Sequence, residues 1–126
     1  MRKFIPALAL VLLLMGCAKN TSTPIPGAAN TFDSQSYLSL VTADSVIETT
    51  KADLAAGKFP ASIAGNVKTA LNALIQSYDV ANPVYVAYHN AALAGTATTA
   101  QQTAVTTALS DVTAKTSALT SAKGAN

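Results

Sequence analysis

The sequence contains few of the residue types on which binding and catalytic chemistry depend. Among its 126 residues there is one cysteine, one histidine and no tryptophan, and only 11% of the residues are charged. A single cysteine excludes a disulfide within the chain, and one cysteine with one histidine leaves too few ligands for a zinc site. The formal net charge of +2 is too small to indicate a nucleic-acid partner, which would require clustered Lys and Arg.

The chain also lacks the residue groupings that most enzymes use. It has no glycine-rich phosphate-binding loop and no acidic loop of the EF-hand type. Its many Ser and Thr hydroxyls are weak nucleophiles unless a base and an orienting partner activate them. We therefore expect a protein that is not an enzyme and that needs no cofactor and no metal.

The first sixteen residues have the organisation of a secretory signal peptide. Arg2 and Lys3 precede an apolar run over 4–15, and Gly16 supplies a small residue before Cys17. The run has twelve residues, whereas a transmembrane helix needs about 20. Residues 1–16 are therefore predicted to be a signal peptide that is cleaved between Gly16 and Cys17.

The junction Leu14-Met15-Gly16-Cys17 resembles the lipobox of bacterial lipoprotein precursors. Met15 departs from that pattern, because a small or β-branched residue is more usual there. The resemblance implies that Cys17 carries a diacylglycerol and commonly an amide-linked fatty acid such as palmitate, and so anchors the mature chain to the extracytoplasmic side of a membrane. Ala18 resembles the residue found in lipoproteins sent to an outer membrane, if the host has two membranes. The alternative is ordinary cleavage nearby that leaves Cys17 as a free thiol.

The segment that follows is predicted to be a flexible tether. Residues 17–32 show no apolar period, and Pro24, Pro26 and Gly27 oppose helix formation. We place the lipidated Cys17 and the tether in 17–32, and an Ala- and Thr-rich folded domain in 33–126.

The remainder of the chain has apolar residues at helical spacing, which predicts an all-α domain. The first helix is predicted over 34–56, with Asp33 as its cap and Gly57 at its end. Leu38 and Val46 fall outside its apolar stripe. That stripe consists of Tyr37, Leu40, Ile47 and Leu54.

The second helix is predicted to start near Pro60 and to end before Gly95. Pro83 interrupts it but projects from the polar face, which favours a kink in one helix over a break into two; the break is the alternative. Its apolar stripe consists of Ile63, Val67, Ala70, Leu71, Leu74, Tyr78, Ala81, Tyr85, Tyr88 and Ala92.

The third helix is predicted from a doubled capping signature, since Thr98 and Thr99 each have a glutamine three residues later. Val105, Val112 and Leu119 recur every seven residues. Short connections make sequential helices antiparallel, so we expect a small antiparallel three-helix bundle. Its core is thin, with 22 Leu, Ile, Val and Phe residues after Gly16, which favours modest stability or completion by self-association.

The candidate binding residues lie on the second helix. Tyr78, Tyr85 and Tyr88 share its apolar stripe and His89 lies at the margin of that stripe. The ordinary role of such residues is core packing with the polar ends at the edge. The alternative is an aromatic site for a peptide, a glycan or a lipid.

These observations lead to one main functional hypothesis and two alternatives. The chain is expected to be a small lipid-anchored cell-envelope protein with a structural, adaptor or protein-interaction role, contacting the membrane through Cys17 and either an envelope protein or a second copy of itself. A ligand-binding module that uses the Tyr and His cluster is one alternative. A phage or mobile-element lipoprotein that acts on the host envelope is the other.

Overall fold

A computed structural model describes residues 25–125 of the chain. In this part of the chain there are three α-helices, α1 (Thr31–Ala55), α2 (Ala61–Leu93) and α3 (Thr99–Lys123). The predicted signal peptide, the Gly16–Cys17 junction and residues 17–24 of the predicted tether lie outside the described residues. The prediction of an all-α fold is confirmed.

The three helices form an up-down-up bundle around α2. Asn30 at the start of α1 lies beside Tyr88 near the end of α2, with 3.1 Å between the amide nitrogen and the phenol oxygen. Lys123 at the end of α3 donates to Thr50 near the end of α1, at 3.2 Å. Helix α2 is therefore antiparallel to α1, and α3 runs parallel to α1. The α2–α3 pair packs most extensively and the α1–α3 pair least. The predicted antiparallel three-helix bundle is confirmed.

Helical periodicity determines the core of α2 and α3. In α3 the heptad-spaced Val105, Val112 and Leu119 are buried. Most of the predicted stripe of α2 is buried too, while Ala70 and Tyr78 pack partly buried against the core. The buried apolar residues of α2 are Ile63, Val67, Leu71, Leu74, Ala81, Tyr85 and Tyr88.

Helix α1 differs from its predicted stripe at one position. Leu40 and Ile47 are buried as predicted, but Tyr37 is 45% exposed. The small side chains of Ser36 and Ala43 face the bundle instead, and the Tyr37 ring lies at the margin, 6.4 Å from the ring of Tyr85. The stripe predicted from apolar character includes Tyr37, whereas the packed face of α1 has the small residues Ser36 and Ala43 beside Leu40 and Ile47. Small side chains allow α1 to approach its neighbours closely.

Helix α2 continues without interruption through Pro83. Pro83 is exposed, while Ala81 and Tyr85 on either side of it are buried. A proline lacks the N–H that would bond the carbonyl four residues earlier, here Asp79. Because this defect lies on the solvent side, water can solvate that carbonyl, and the alternative of a broken second helix is wrong.

The amino terminus of α1 lies upstream of its predicted position. Asn30 is the cap, since its side-chain oxygen accepts from the backbone N–H of Asp33 at 2.9 Å. Asp33, which was predicted to be the cap, lies within the first turn. Upstream, the Ile25 N–H donates to the Ser34 hydroxyl at 3.0 Å. Residues 25–32 are thus joined to the bundle, and the flexible tether stays a prediction for residues 17–24.

The remaining helix ends agree with the sequence patterns. Thr98 caps α3 in a capping box with Gln101, so the first of the two possible threonines is used. Gly57 and Gly95 follow α1 and α2 with φ of +67° and +73°, the left-handed conformation that glycine adopts readily. Pro60 directly precedes the first residue of α2.

Candidate functional site

A contact between Asp33 and His89 joins the first turn of α1 to the last turns of α2. Nδ1 of His89 lies 2.8 Å from Oδ2 of Asp33, and the same oxygen accepts from the Ala29 N–H at 2.7 Å. An ionised carboxylate only accepts hydrogen bonds, so Nδ1 must carry the proton that is shared with Asp33. Asp33 is fully buried, while the His89 side chain keeps 27% of its surface exposed.

The second carboxylate oxygen of Asp33 has an unusual environment. Oδ1 is buried and has no hydrogen-bond partner in the described part of the chain. Tyr85 lies beside this carboxylate: burial raises the pKa of the Tyr85 phenol, and the neighbouring Asp33 raises it further. Both effects keep the phenol protonated next to a buried negative charge.

Aromatic rings surround this contact. Tyr88 packs edge-on against Phe32 with ring centroids 5.1 Å apart, and its hydroxyl meets the Asn30 amide. The ring of Tyr85 lies 5.7 Å from that of His89. We call Asn30, Asp33, Tyr85, Tyr88 and His89 the α1–α2 clasp, because together they fasten the start of α1 to the end of α2.

Of the four predicted site residues, the clasp contains three. Tyr85, Tyr88 and His89 lie together in it, and Tyr78 lies two turns away along α2. Burial raises the pKa of Tyr78, and Asp44 and Asp79 raise it further. Asn30 and Asp33 are the site residues that sequence reasoning missed. The local signal for them is the spacing Asn30-x-x-Asp33, which is typical of a helix start. Their pairings with Tyr88 and His89 span 58 and 56 residues of sequence and have no local signal.

The chemistry of the clasp is that of a structural contact. Apart from Asp33 Oδ1, the bonds of its polar atoms are to groups of the same chain: the His89 ring and the Ala29 N–H to Oδ2 of Asp33, and the Tyr88 hydroxyl to the Asn30 amide. Within residues 25–125 there is no group of three or more His, Cys, Asp or Glu side chains arranged to hold a metal ion. The arrangement fits the packing interpretation of these residues better than the ligand-site interpretation.

A groove lies between α1 and α3, the pair of helices that pack least against each other. Its volume is about 520 Å³, and no charged side chain lines it. Its surface is more apolar than polar: Phe32 and Leu109 line it together with Ser, Thr, Gln and Ala side chains. The other lining residues are Gln35, Ser36, Ser39, Thr106, Ser110, Thr113 and Ala114.

Charged residues are segregated along the bundle axis. Residues 80–110 contain no Lys, Arg, Asp or Glu, and residues 25–43 contain only the buried Asp33. Because α2 is antiparallel to its neighbours, these two ranges lie at the same end of the bundle, and we call them the neutral half. The rest of the described charges lie in 44–79 and 111–123, which we call the charged half. One of them, Lys51, forms an exposed ion pair with Glu48 at 2.8 Å, as expected for a solvated helix face.

The large exposed apolar side chains are also confined to one half of the described bundle. Every large apolar side chain that is exposed between residues 25 and 125 belongs to the neutral half, with 43–64% of its surface accessible. These residues are Tyr37, Leu38, Val41, Val80, Val86 and Leu93. None of the helices in this part of the chain combines the length and the apolar character needed to cross a bilayer.

No protein-family model, curated protein or solved structure matches the chain. The functional interpretation therefore depends on the sequence of the amino terminus and on the geometry of the bundle.

Proposed function

We propose that the chain is a small lipid-anchored protein of the bacterial cell envelope with a structural, adaptor or protein-interaction role and no catalytic activity. The observation that carries this proposal is the lipobox-type junction ending in Cys17, which lies eight residues before Ile25, where the described part of the chain begins. Two or more acyl chains hold a protein stably on a membrane, since each buried CH₂ contributes about 0.8 kcal/mol. The mature domain would then be extracytoplasmic, and at an outer membrane in a host that has two membranes.

The geometry of the bundle is compatible with this arrangement. The backbone N–H of Ile25 donates a hydrogen bond to the Ser34 hydroxyl in the first turn of α1. The chain that precedes Ile25 therefore joins the folded domain in its neutral half. The charged half lies at the far end and carries both Lys and acidic side chains. On an anchored protein, that end would be presented to the aqueous compartment and to an envelope partner or a second copy.

A ligand-binding module is the second candidate, and the groove between α1 and α3 is the observation that favours it. Its volume of about 520 Å³ lies within the range of small-molecule sites, roughly 300–1,000 Å³. An uncharged, largely apolar ligand with a few hydrogen-bonding groups would suit its lining. Tyr85, Tyr88 and His89 do not line this groove, so such a site would use Phe32 and Leu109 in place of the predicted cluster.

The anchor is tested by mass spectrometry of the mature amino terminus after expression of the full chain in a bacterial host. We expect a chain that begins at Cys17 and carries the mass of a diacylglycerol, with or without an amide-linked fatty acid. Cys17→Ser should abolish both the added mass and the cleavage, whereas Ser22→Ala, a matched small change in the tether, should leave both intact. An unmodified Cys17 in the mature protein would refute the proposal.

A further inference from the structure

The neutral half combines three properties that point to one kind of surface. It exposes all of the large apolar side chains that are exposed in the described part of the chain. It carries no exposed Lys, Arg, Asp or Glu. It is also the end at which the chain outside the described residues joins the bundle, through Ile25 and Ser34.

The six exposed large apolar side chains all lie on α1 and α2, at the same end of the bundle, and we call them the apolar patch. Tyr37, Leu38 and Val41 lie within two turns of α1. On α2, Val86 follows directly after Tyr85, whose ring meets that of Tyr37 at 6.4 Å. Leu93 lies seven residues beyond Val86, which places it on the same face of α2. A patch of this kind on a small domain marks an interaction site.

The short stretch of sequence from Cys17 to Ile25 favours the anchoring bilayer as the occupant of this patch. The eight Cα–Cα steps from Cys17 to Ile25 span at most about 27 Å when extended and roughly 16 Å as a flexible coil. A lipid on Cys17 therefore keeps the neutral half close to the bilayer, where even a weak contact is favoured because the effective concentration is high.

The chemistry of the neutral half suits that location. Moving an unpaired charge out of water is expensive, and the only acid in this half, Asp33, is already buried and bonded to His89. Tyr and aliphatic side chains are favoured where lipid meets water. We propose that the neutral half lies against the bilayer that anchors the protein, with Leu38 and Val86 in contact with lipid and the charged half directed into the aqueous phase. This inference depends on the proposed lipidation of Cys17.

The absence of tryptophan allows a direct test with single-tryptophan variants of the full, lipidated chain in phosphatidylcholine vesicles. Leu38→Trp and Val86→Trp report on the neutral half. Thr49→Trp and Asn72→Trp are exposed controls in the charged half; position 49 lies on the same face of α1 as Leu38, about 16 Å further along.

Lipids brominated in their acyl chains should quench the fluorescence of the two neutral-half variants severalfold more strongly than that of the two controls. Because the neutral half lacks Lys and Arg, replacing part of the phosphatidylcholine by phosphatidylglycerol should leave the quenching unchanged.

Each outcome of this experiment has a distinct meaning, provided that circular dichroism shows the helix content unchanged in each variant. Equal quenching in all four variants, or quenching in none of them, overturns the membrane contact. The mass of the mature amino terminus then shows separately whether Cys17 is lipidated. A blue-shifted emission from the Leu38→Trp variant that brominated lipid does not quench shows that a protein surface covers the patch, which also overturns the inference. If Cys17 carries no lipid, the proposed function is refuted, and the membrane contact that depends on it is refuted as well.

Discussion

Asp33 and His89 are separated by 56 residues of sequence, yet Oδ2 of the first lies 2.8 Å from Nδ1 of the second. One is fully buried in the first turn of α1 and the other lies partly exposed near the end of α2. Helix α1 has the least extensive packing of the three helices, and this polar contact joins its amino terminus to α2 together with the Asn30–Tyr88 contact. Asp33 therefore makes a tertiary contact in addition to lying in the first turn of α1.

Replacing Asp33 by alanine should destabilise the bundle. The change removes the acceptor of the Ala29 N–H and of the His89 Nδ1, and losing two part-buried hydrogen bonds to a carboxylate should lower the free energy of unfolding by about 2 kcal/mol. Urea denaturation followed by circular dichroism measures the change. Asp53→Ala is the matched control, because Asp53 pairs with Lys58 at the surface and its loss should amount to about 0.5 kcal/mol or less. Equal losses in the two variants would contradict the role given to the clasp.

The stability of the bundle should fall at alkaline pH because of Tyr85. Burial, followed by the neighbouring Asp33, raises the pKa of the Tyr85 phenol above its usual value of 10.0. The folded state then holds this proton more tightly than the unfolded state, so the stabilisation is complete below pH 10 and is lost as the pH rises through the folded-state pKa. Unfolding free energies measured between pH 8 and the alkaline limit should decline more steeply in the natural chain than in Tyr85→Phe, from about pH 10 upward. Identical slopes would show that the phenol is not held protonated in the fold.

Replacing Pro83 by alanine should stabilise the protein. Alanine restores the N–H that can bond the Asp79 carbonyl and removes the clash of the proline ring, and an interior helix position favours it by about 3 kcal/mol. Greater flexibility of the unfolded chain offsets roughly 1 kcal/mol of this, so urea denaturation should show a net gain of about 1–2 kcal/mol in the free energy of unfolding. Destabilisation would instead show that the packing of α2 depends on the backbone geometry that proline imposes at position 83.

The capping box of α3 can be tested by comparing two adjacent threonines. Thr98→Ala removes the hydroxyl that accepts from the Gln101 N–H, and the free energy of unfolding should fall by about 1 kcal/mol. Thr99→Ala changes an exposed residue in the first turn and should have little effect. Thermal or urea unfolding distinguishes the two, and the reverse order would assign the cap to Thr99.

Whether the sequence predicts a feature of this structure depends on how far apart in sequence the interacting residues lie. The i, i+3/i+4 and heptad spacing of Val105, Val112 and Leu119 is local, so the buried face of α3 could be predicted directly. The contact of Asp33 with His89 depends on how two helices align, which no local pattern contains. The ranges 25–43, whose one charged residue is Asp33, and 80–110, which has no Lys, Arg, Asp or Glu, are visible in the sequence, but they come together only when α2 turns back along α1.

The unequal packing of the three helices also has a consequence for the response of the bundle to a pulling force. A force transmitted along the chain from residue 24 enters through Ile25 and its bond to Ser34, and so reaches α1 first. Helix α1 is the least extensively packed of the three, whereas α2 and α3 form the most extensively packed pair. The clasp lies directly at the point of entry, and a pull from this side therefore strains the Asp33–His89 contact before it strains the α2–α3 hairpin.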